Sequence, residues 1–390
     1  MILNKFPDSN EFYKTYWGKK PFIVRNFVTP DVIDQLIDGD TLAGLSLEED
    51  IKSRIIINNE EENTWTCHHG AFDEDIFAEL GEENWSLLVQ NVEQYHTETA
   101  NLLGDFHFCA RWLMDDIMVS YSAKGGSVGP HTDSYHVFLI QGIGKRKWKI
   151  SDSPCHDNNF TDSGDIKVLK DGFNGQEFEV SIGDIIYIPP HFAHEGITLE
   201  EAMSFSVGFL GPKLSELMSE YAHYLEQNEE QNTHYCGDNL TNNSAAFTIA
   251  PSAQSDIQNS LITAIKDDDF SIWLAQYFST PTHDEIENIA PREEQLTRNE
   301  VLELLKDGES LYRPEHIKIT ITTSSDGNYN MAVYGETIST KDTHKPLIEL
   351  INSNQKISLQ DISGNRNKED LIALITDLYN RDILSFDEKH

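Results

Sequence analysis

The chain has 390 residues, 38% of them hydrophobic, and carries 29 Lys and Arg against 66 Asp and Glu, a formal charge of −37. That length corresponds to two or three domains, and the apolar share is enough for a core, which excludes a wholly disordered chain. The acidity argues against a phosphate backbone or an anionic membrane as the main partner and fits a basic one.

In chain order, the first hundred residues mix short patterns. Pro21 to Arg25 reads as a strand, Thr29 to Leu42 as a helix with Pro30 in its first turn, and the acidic run Glu60 to Glu62 as a solvated loop. From Arg111 to Pro212, β-branched and aromatic runs are separated by glycine turns: Ile117–Ser122, Tyr135–Ile140, Arg146–Ile150, Glu177–Val180, Asp184–Ile188 and Ala202–Phe209. Such short strands without long linking helices predict a β sandwich or barrel rather than a parallel α/β sheet.

Pro212 to Asn243 reads as a helix and then a polar break, and Ile257 to Phe278 is a helical pattern closed by Thr280-Pro. Thr297 and Glu300 have capping-box spacing, and Gly308 ends the helix they open. His316–Thr323 and Tyr329–Tyr334 read as a hairpin, followed by helices over Lys345–Asn352 and Lys368–Leu384, an order like that of a winged-helix module. From Leu296 to His390 there are 11 Lys and Arg and 16 Asp and Glu, a net of −5, which argues for assembly or substrate docking over nucleic-acid reading.

Cys67, Cys109, Cys155 and Cys236 stand far apart with no CxxC pair, which disfavours both a disulfide framework and a thiolate zinc site. The N-terminal residues carry no apolar secretory core, and no stretch approaches the roughly 18 apolar residues of a membrane span. A reduced, cytoplasmic protein is expected.

The chemistry centres on His131-Thr132-Asp133. On a strand, residues i and i+2 share a face, so this motif aims an imidazole and a carboxylate into one space. Chance alone gives about 2.5 His-x-acid matches in such a composition; His96/Glu98 and His283/Glu285 also match and read as solvated polar residues. Context distinguishes His131 and Asp133: a glycine turn (Gly125 to Pro130) precedes them, an apolar strand follows, and His194 lies downstream on another expected strand. Two histidines and a carboxylate form the facial triad that holds Fe(II) and leaves positions open for a cosubstrate and O₂. His191 competes as third ligand, but Pro189-Pro190 argues against a helix presenting both histidines, so His194 is favoured and His191 placed at the rim. Arg146 alternates with Lys145 and Lys147 and shares the apolar face of Trp148 and Ile150. A buried arginine requires an anion, and the carboxylate of a cosubstrate fits; a structural Arg–Asp pair is the alternative. Ser122 and Ser206 lie on strands that place their hydroxyls for cosubstrate contacts or simply in the core.

The segments Ser127–Trp148, Gly183–Gly196 and Phe205–Pro212 resemble the JmjC-type cupin oxygenases, most closely their bacterial ribosomal-oxygenase branch, the ribosomal-protein arginine hydroxylases. The resemblance implies an α+β protein with a double-stranded β-helix (jelly-roll, cupin) JmjC barrel, a helical dimerisation domain and a C-terminal winged-helix-like domain, over 1–212, 213–290 and 291–390. It implies His131, Asp133 and His194 as catalytic Fe(II) ligands and Arg146 as the partner of the far carboxylate of 2-oxoglutarate. Arg111 to Asp116 also matches, and Asp115 and Asp116 would engage a cationic substrate side chain, a surface-charge role being the alternative. Thr132, Ser134 and Ser127 depart from the pattern without touching the ligands. The implied activity is hydroxylation of the β-carbon of an arginine in a large-subunit ribosomal protein, coupled to oxidative decarboxylation of 2-oxoglutarate, by a homodimer. The rival readings are a JmjC histidyl hydroxylase or lysyl demethylase, and a non-catalytic cupin scaffold.

Overall fold

The computed structural model describes residues 1–59, 62–155, 160–161, 167–228, 232–237, 240, 247–281, 291–353 and 356–386. Glu60, Glu61, His283 and Glu285 lie outside the described residues. The chain forms two compact units, Met1–Gly211 and Pro212–Glu388.

The first unit is built on a 10-stranded sheet. Its strands are β1 (Ile2–Leu3), β2 (Phe22–Val24), β3 (Ser53–Asn59), β4 (Thr64–His69), β5 (Trp85–Val89), β6 (Met114–Ser122), β7 (His136–Pro154), β8 (Gly175–Val180), β9 (Ile185–Ile188) and β10 (Phe192–Phe209). They run in the order β1-β2-β9-β7-β10-β6-β5-β3-β4, with β8 also on β7. All pairs except the short β1–β2 are antiparallel. Two strands dominate: β7 has 19 residues and β10 has 18. The first half of β7 pairs with β9 and the second half with β8, so one strand serves both layers of a rolled sheet.

The turn expected at Gly142–Gly144 is instead a bend within β7. Gly144 has φ +64°, and a Cβ there would stand 1.9 Å from the Glu201 carbonyl oxygen. Only glycine lets the backbones approach this closely. The β7–β10 register shifts at this bend, between Thr198 and Ser204.

Period-2 alternation then sorts the side chains. Phe138 and Ile140 enter a core with Phe12, Phe22, Phe106, Tyr187 and Phe209. Val137 and Leu139 point the other way, with Trp148 and Ile150. Each of the fully buried phenylalanines contributes about 1.5–3 kcal/mol through burial. β3, β4 and β5, which sequence patterns did not reveal, extend the sheet beyond β6. The helix expected over Thr29–Leu42 is two short ones, Pro30–Ile33 and Gly39–Leu45, because Asp38 caps a new start by accepting from Thr41 N at 2.8 Å.

The second unit begins with helices Leu214–Gln227, Pro251–Lys266 and Asp268–Ser279. The single helix expected over Ile257–Phe278 breaks at Asp267, which is extended and caps Asp269 N at 3.1 Å. Thr297 and Glu300 form the expected capping box of Arg298–Lys306, and Gly308 follows with φ +99°. The hairpin is β11 (Ile319–Thr323) and β12 (Tyr329–Val333), widened by a third strand, β13 (Glu336–Ile338). Helices Lys345–Asn352, Leu359–Ser363 and Lys368–Asn380 complete a core of Val301, Leu305, Met331, Ile348, Leu371 and Ile375. The last of these helices stops four residues before the expected Leu384. Within this unit Ser271 ties the helical segment to the hairpin, accepting from Thr322 Oγ1 at 2.6 Å and from Asn330 Nδ2 at 2.8 Å.

Candidate metal centre and its cavity

The His-x-Asp motif lies in an extended segment ahead of β7, not on the strand itself. What fixes it is a pairing with β10. His131 N donates to His194 O at 3.0 Å, and His194 N donates back to His131 O at 2.9 Å. Reciprocal bonding of this kind sets two residues directly opposite, and their rings stand 4.2 Å apart between centroids. Asp133 is held by its own carbonyl, which accepts from His191 N at 2.8 Å. His191 itself is exposed, with φ +66°, so it makes the turn and leaves the third position to His194.

Each histidine is aimed by its outer nitrogen. His131 Nδ1 bonds the Gly129 carbonyl at 2.9 Å, and His194 Nδ1 bonds the Phe192 carbonyl at 3.0 Å. A carbonyl only accepts, so both Nδ1 atoms carry the proton and both Nε2 lone pairs face inward. Asp133 Oδ2 is 3.4 Å from His194 Nε2, and Oδ1 is 4.0 Å from His131 Nε2. The three ligand atoms lie within 4.8 Å of one another, the one such group among the described residues. Burial pulls the His131 pKa down to about 4, with His194 adding to the fall, so this imidazole is neutral at pH 7. Burial also acts against the charged form of His194, but the Asp133 carboxylate outweighs it and raises that pKa.

The triad opens into a cavity of about 310 Å³. On its wall are Val137, Leu139 and Trp148 of β7, Met118 and Ser120 of β6, and Ser206 of β10. Trp148 approaches His194 to 6.0 Å between centroids because Gly196 leaves room; a Cβ there would meet the indole at 2.8 Å. Arg146 is on the same wall and 8% exposed, as the alternation with Lys145 and Lys147 requires. Its Nη2 donates to Ser122 Oγ, and its buried Nε has no protein partner. Burial lowers its pKa to about 10, which leaves it charged at neutral pH. Ser122 is not itself on the wall; its hydroxyl donates to Ser86 Oγ at 2.8 Å, and Ser86 is. Ser122 therefore steers the guanidinium.

Asp115 and Asp116 stand at a bulge, where the β6–β10 register shifts opposite Gly208. A Cβ on Gly208 would lie 3.5 Å from Asp116 Oδ1, 3.8 Å from Asp115 Cβ and 3.8 Å from Tyr135 Cε2, so the three side chains gather there. Neither aspartate is on the cavity wall, but Tyr135 is. The surface-charge alternative does not hold for Asp116, which is 8% exposed. Its pKa is raised well above the ordinary carboxylate value by burial first and by neighbouring Glu93 second. Glu93 accepts from Ile117 N at 2.8 Å, and burial pushes its pKa to about 7. His96, of the second His-x-acid match, caps a helix by accepting from Thr99 N at 3.2 Å.

Sequence reasoning missed Arg54, Tyr135 and Trp148 on the cavity wall. The run Arg54-Ile-Ile-Ile57 is a strand signal, and its alternation places Arg54 with Ile56 on one face; both line the cavity.

A histidine–carboxylate triad inside a rolled antiparallel sheet defines the class as a JmjC-type oxygenase domain. The family described as "JmjC domain" matches residues 101–217, and "ROXA-like winged helix" matches residues 224–385. The chain belongs to the JmjC ribosomal oxygenases. It is 31% identical over 380 residues, 95% of each chain, to the ribosomal protein uL16 3-hydroxylase of Escherichia coli K12. It is 37% identical over 208 residues to a probable ribosomal oxygenase of Haemophilus influenzae, covering 53% of this chain and 50% of that one. The X-ray structure of E. coli YcfD superimposes with a TM-score of 0.83 at 30% identity, over 99% of this chain and 100% of that one. The same ribosomal oxygenase in complex with cobalt and 2-oxoglutarate gives 0.80 at 30% identity, over 98% and 99%.

Proposed function

We propose that this chain is an Fe(II)- and 2-oxoglutarate-dependent protein hydroxylase that oxidises the β-carbon of an arginine in a large-subunit ribosomal protein, uL16 being the first candidate. The observation that carries the reading is one cavity holding both a metal triad and a buried, underbonded guanidinium, Arg146. Two imidazole nitrogens and a carboxylate suit a divalent first-row ion and leave positions for other ligands. Iron(II) with 2-oxoglutarate and O₂ supplies the oxidising power for inserting oxygen into a C–H bond, the cosubstrate leaving as succinate and CO₂.

In this assignment His131, Asp133 and His194 hold the iron, with their orientation set by backbone carbonyls and the His131–His194 pairing. Arg146, steered by Ser122, grips the far carboxylate of 2-oxoglutarate. Ser206 offers a hydroxyl from the wall. Trp148, Val137 and Leu139 keep the site apolar, which strengthens each charged contact within it. Asp115 and Asp116 receive the substrate guanidinium beside Tyr135. Burial and the neighbouring Glu93 raise the pKa of Asp116, and a cation beside it would oppose that shift.

The barrel, 1–212, is the catalytic domain; 213–290 is the dimerisation segment and 291–390 the winged-helix-like domain. Dimerisation is supported by apolar side chains left exposed on two helices, Leu214 and Met218 on one and Leu261, Ile262 and Ile265 on the other. The net negative charge of the last segment supports docking or assembly over nucleic-acid contact. Among the described residues no helix is long and apolar enough to cross a membrane, and the proposed ribosomal substrate supports a cytoplasmic location.

The test is the intact mass of purified ribosomal proteins after incubation with enzyme, Fe(II), 2-oxoglutarate and O₂, beside an Arg146→Met control. The expected result is one added oxygen atom on one basic large-subunit protein, localised to arginine by fragmentation. Neither mass gain nor succinate would refute the oxygenase reading; succinate without mass gain would refute the substrate.

A further inference from the structure

The assignment above leaves two cations of the cavity wall, Lys167 and Arg54, without a task, and Arg54 is the one built into the sheet. Arg54 of β3 lines the same cavity as the triad. Its Nε is buried without a hydrogen-bond partner, and among the described residues no carboxylate pairs with it. Arg54 is only partly buried, but its unpartnered Nε on the cavity wall leaves a donor free for an anionic ligand.

Strand register shows where this cation sits. Ile56 of β3 pairs with Ser86 of β5, which pairs with Ser122 of β6, the residue that steers Arg146. Arg54 pairs with Leu88, which pairs with Ser120, one rank further along the same face. Such ranks are about 7 Å apart along a strand. Arg54 thus projects from a different rank than the one that anchors Arg146. Its charge is a minor influence on each of Asp133, His131, Tyr135 and Asp116. One guanidinium is therefore anchored at Ser122, and the other lines the triad's cavity from the next rank of the sheet.

We propose that Arg54 binds the carboxylate at the 2-oxo end of the cosubstrate, so that the cavity holds a dicarboxylate between two guanidinium groups. This rests on the 2-oxoglutarate reading and deepens it. It assigns Arg146 to the end that distinguishes 2-oxoglutarate from shorter 2-oxo acids, and Arg54 to the end they share.

The experiment uses the full chain loaded anaerobically with Mn(II), titrated calorimetrically with 2-oxoglutarate and with 2-oxobutyrate, which has the same 2-oxo acid head and no far carboxylate. Wild type, Arg54→Met, Arg54→Lys and Arg146→Met are compared, with folding checked by circular dichroism and Mn(II) affinity measured first for each. Arg54→Met is expected to weaken both ligands by the same factor, about tenfold or more, and Arg54→Lys to recover part of it. Arg146→Met is expected to weaken 2-oxoglutarate alone, down to the level of 2-oxobutyrate. If Arg54→Met does not fold, the equal loss is read from Arg54→Lys, whose point charge cannot reproduce a two-pronged contact.

The proposal is overturned if the Arg54 variants bind both ligands like wild type, or lose 2-oxoglutarate alone, or weaken only the ribosomal substrate. No binding of either 2-oxo acid to Mn(II)-loaded wild type would overturn the functional reading and this assignment together.

Discussion

An Arg146→Met substitution removes a buried charge while keeping most of the volume of its stem. The pKa of this guanidinium falls from 12.5 to about 10 through burial, so the folded ligand-free protein carries about 3 kcal/mol of cost for keeping it charged. Loss of the bond to Ser122 subtracts about 1 kcal/mol, since Ser122 keeps its partner Ser86. The variant is therefore expected to be more stable than wild type by about 2 kcal/mol in urea unfolding of the ligand-free protein. Ligand binding moves the opposite way. A carboxylate buried without its charged partner costs about 2–4 kcal/mol, which weakens 2-oxoglutarate by about 30-fold to about 1,000-fold. Calorimetry on the Mn(II)-loaded protein reads the second quantity and urea unfolding the first. A parallel loss of stability and affinity would show that Arg146 is a structural residue. An affinity within about threefold of wild type would show that no carboxylate reaches it.

Further outcomes follow from the same geometry. Asp133→Ala is expected to lose Mn(II) affinity by about 100-fold or more with an unchanged circular dichroism spectrum, because one of three ligands is gone while the His131–His194 backbone pair remains. In wild type, Mn(II) affinity should fall as pH drops through the raised pKa of His194, by up to about tenfold per pH unit, because the metal must displace its proton; a flat calorimetric profile from pH 8 to about pH 6 would contradict this. Glu93 has a folded pKa of about 7 against 4.5. The unfolded chain therefore ionises first, and stability is full below 4.5 and lost as pH rises through 7. Glu93→Gln keeps an acceptor for Ile117 N, so it should match wild type in urea unfolding near pH 4 and exceed it by about 3 kcal/mol near pH 8. Gly144→Ala places a Cβ against the Glu201 carbonyl at positive φ; a loss of more than about 2 kcal/mol is expected, and a loss below about 0.5 kcal/mol would mean the bend in β7 has another cause.

The chemistry of the site was legible because its determinants are local. A two-residue spacing puts His131 beside Asp133 whether or not the segment joins a sheet, since extended backbone alone gives that period. Alternation along β7 put Arg146 indoors and Lys145 and Lys147 outdoors for the same reason. The Thr297–Glu300 cap depends on groups three residues apart. Elements whose bounds are decided by distant partners were not legible. β7 passes through Gly142–Gly144 as one strand because β10 lies alongside it, and Glu201, on that strand, sits against Gly144. Of the N-terminal strands, β2 was legible over Pro21–Arg25, but β3, β4 and β5 were missed because they are held by pairing with one another and, through β5, with β6, and Arg54 went unassigned with them. The sequence left Asp116 open between a substrate contact and surface charge; only the β6–β10 bulge and the approach of Glu93 and Tyr135 bury it. Local spacing thus determined which residue types were available for chemistry. The rolled sheet decided which of them share a cavity, because register and layer packing join residues that no sequence separation relates.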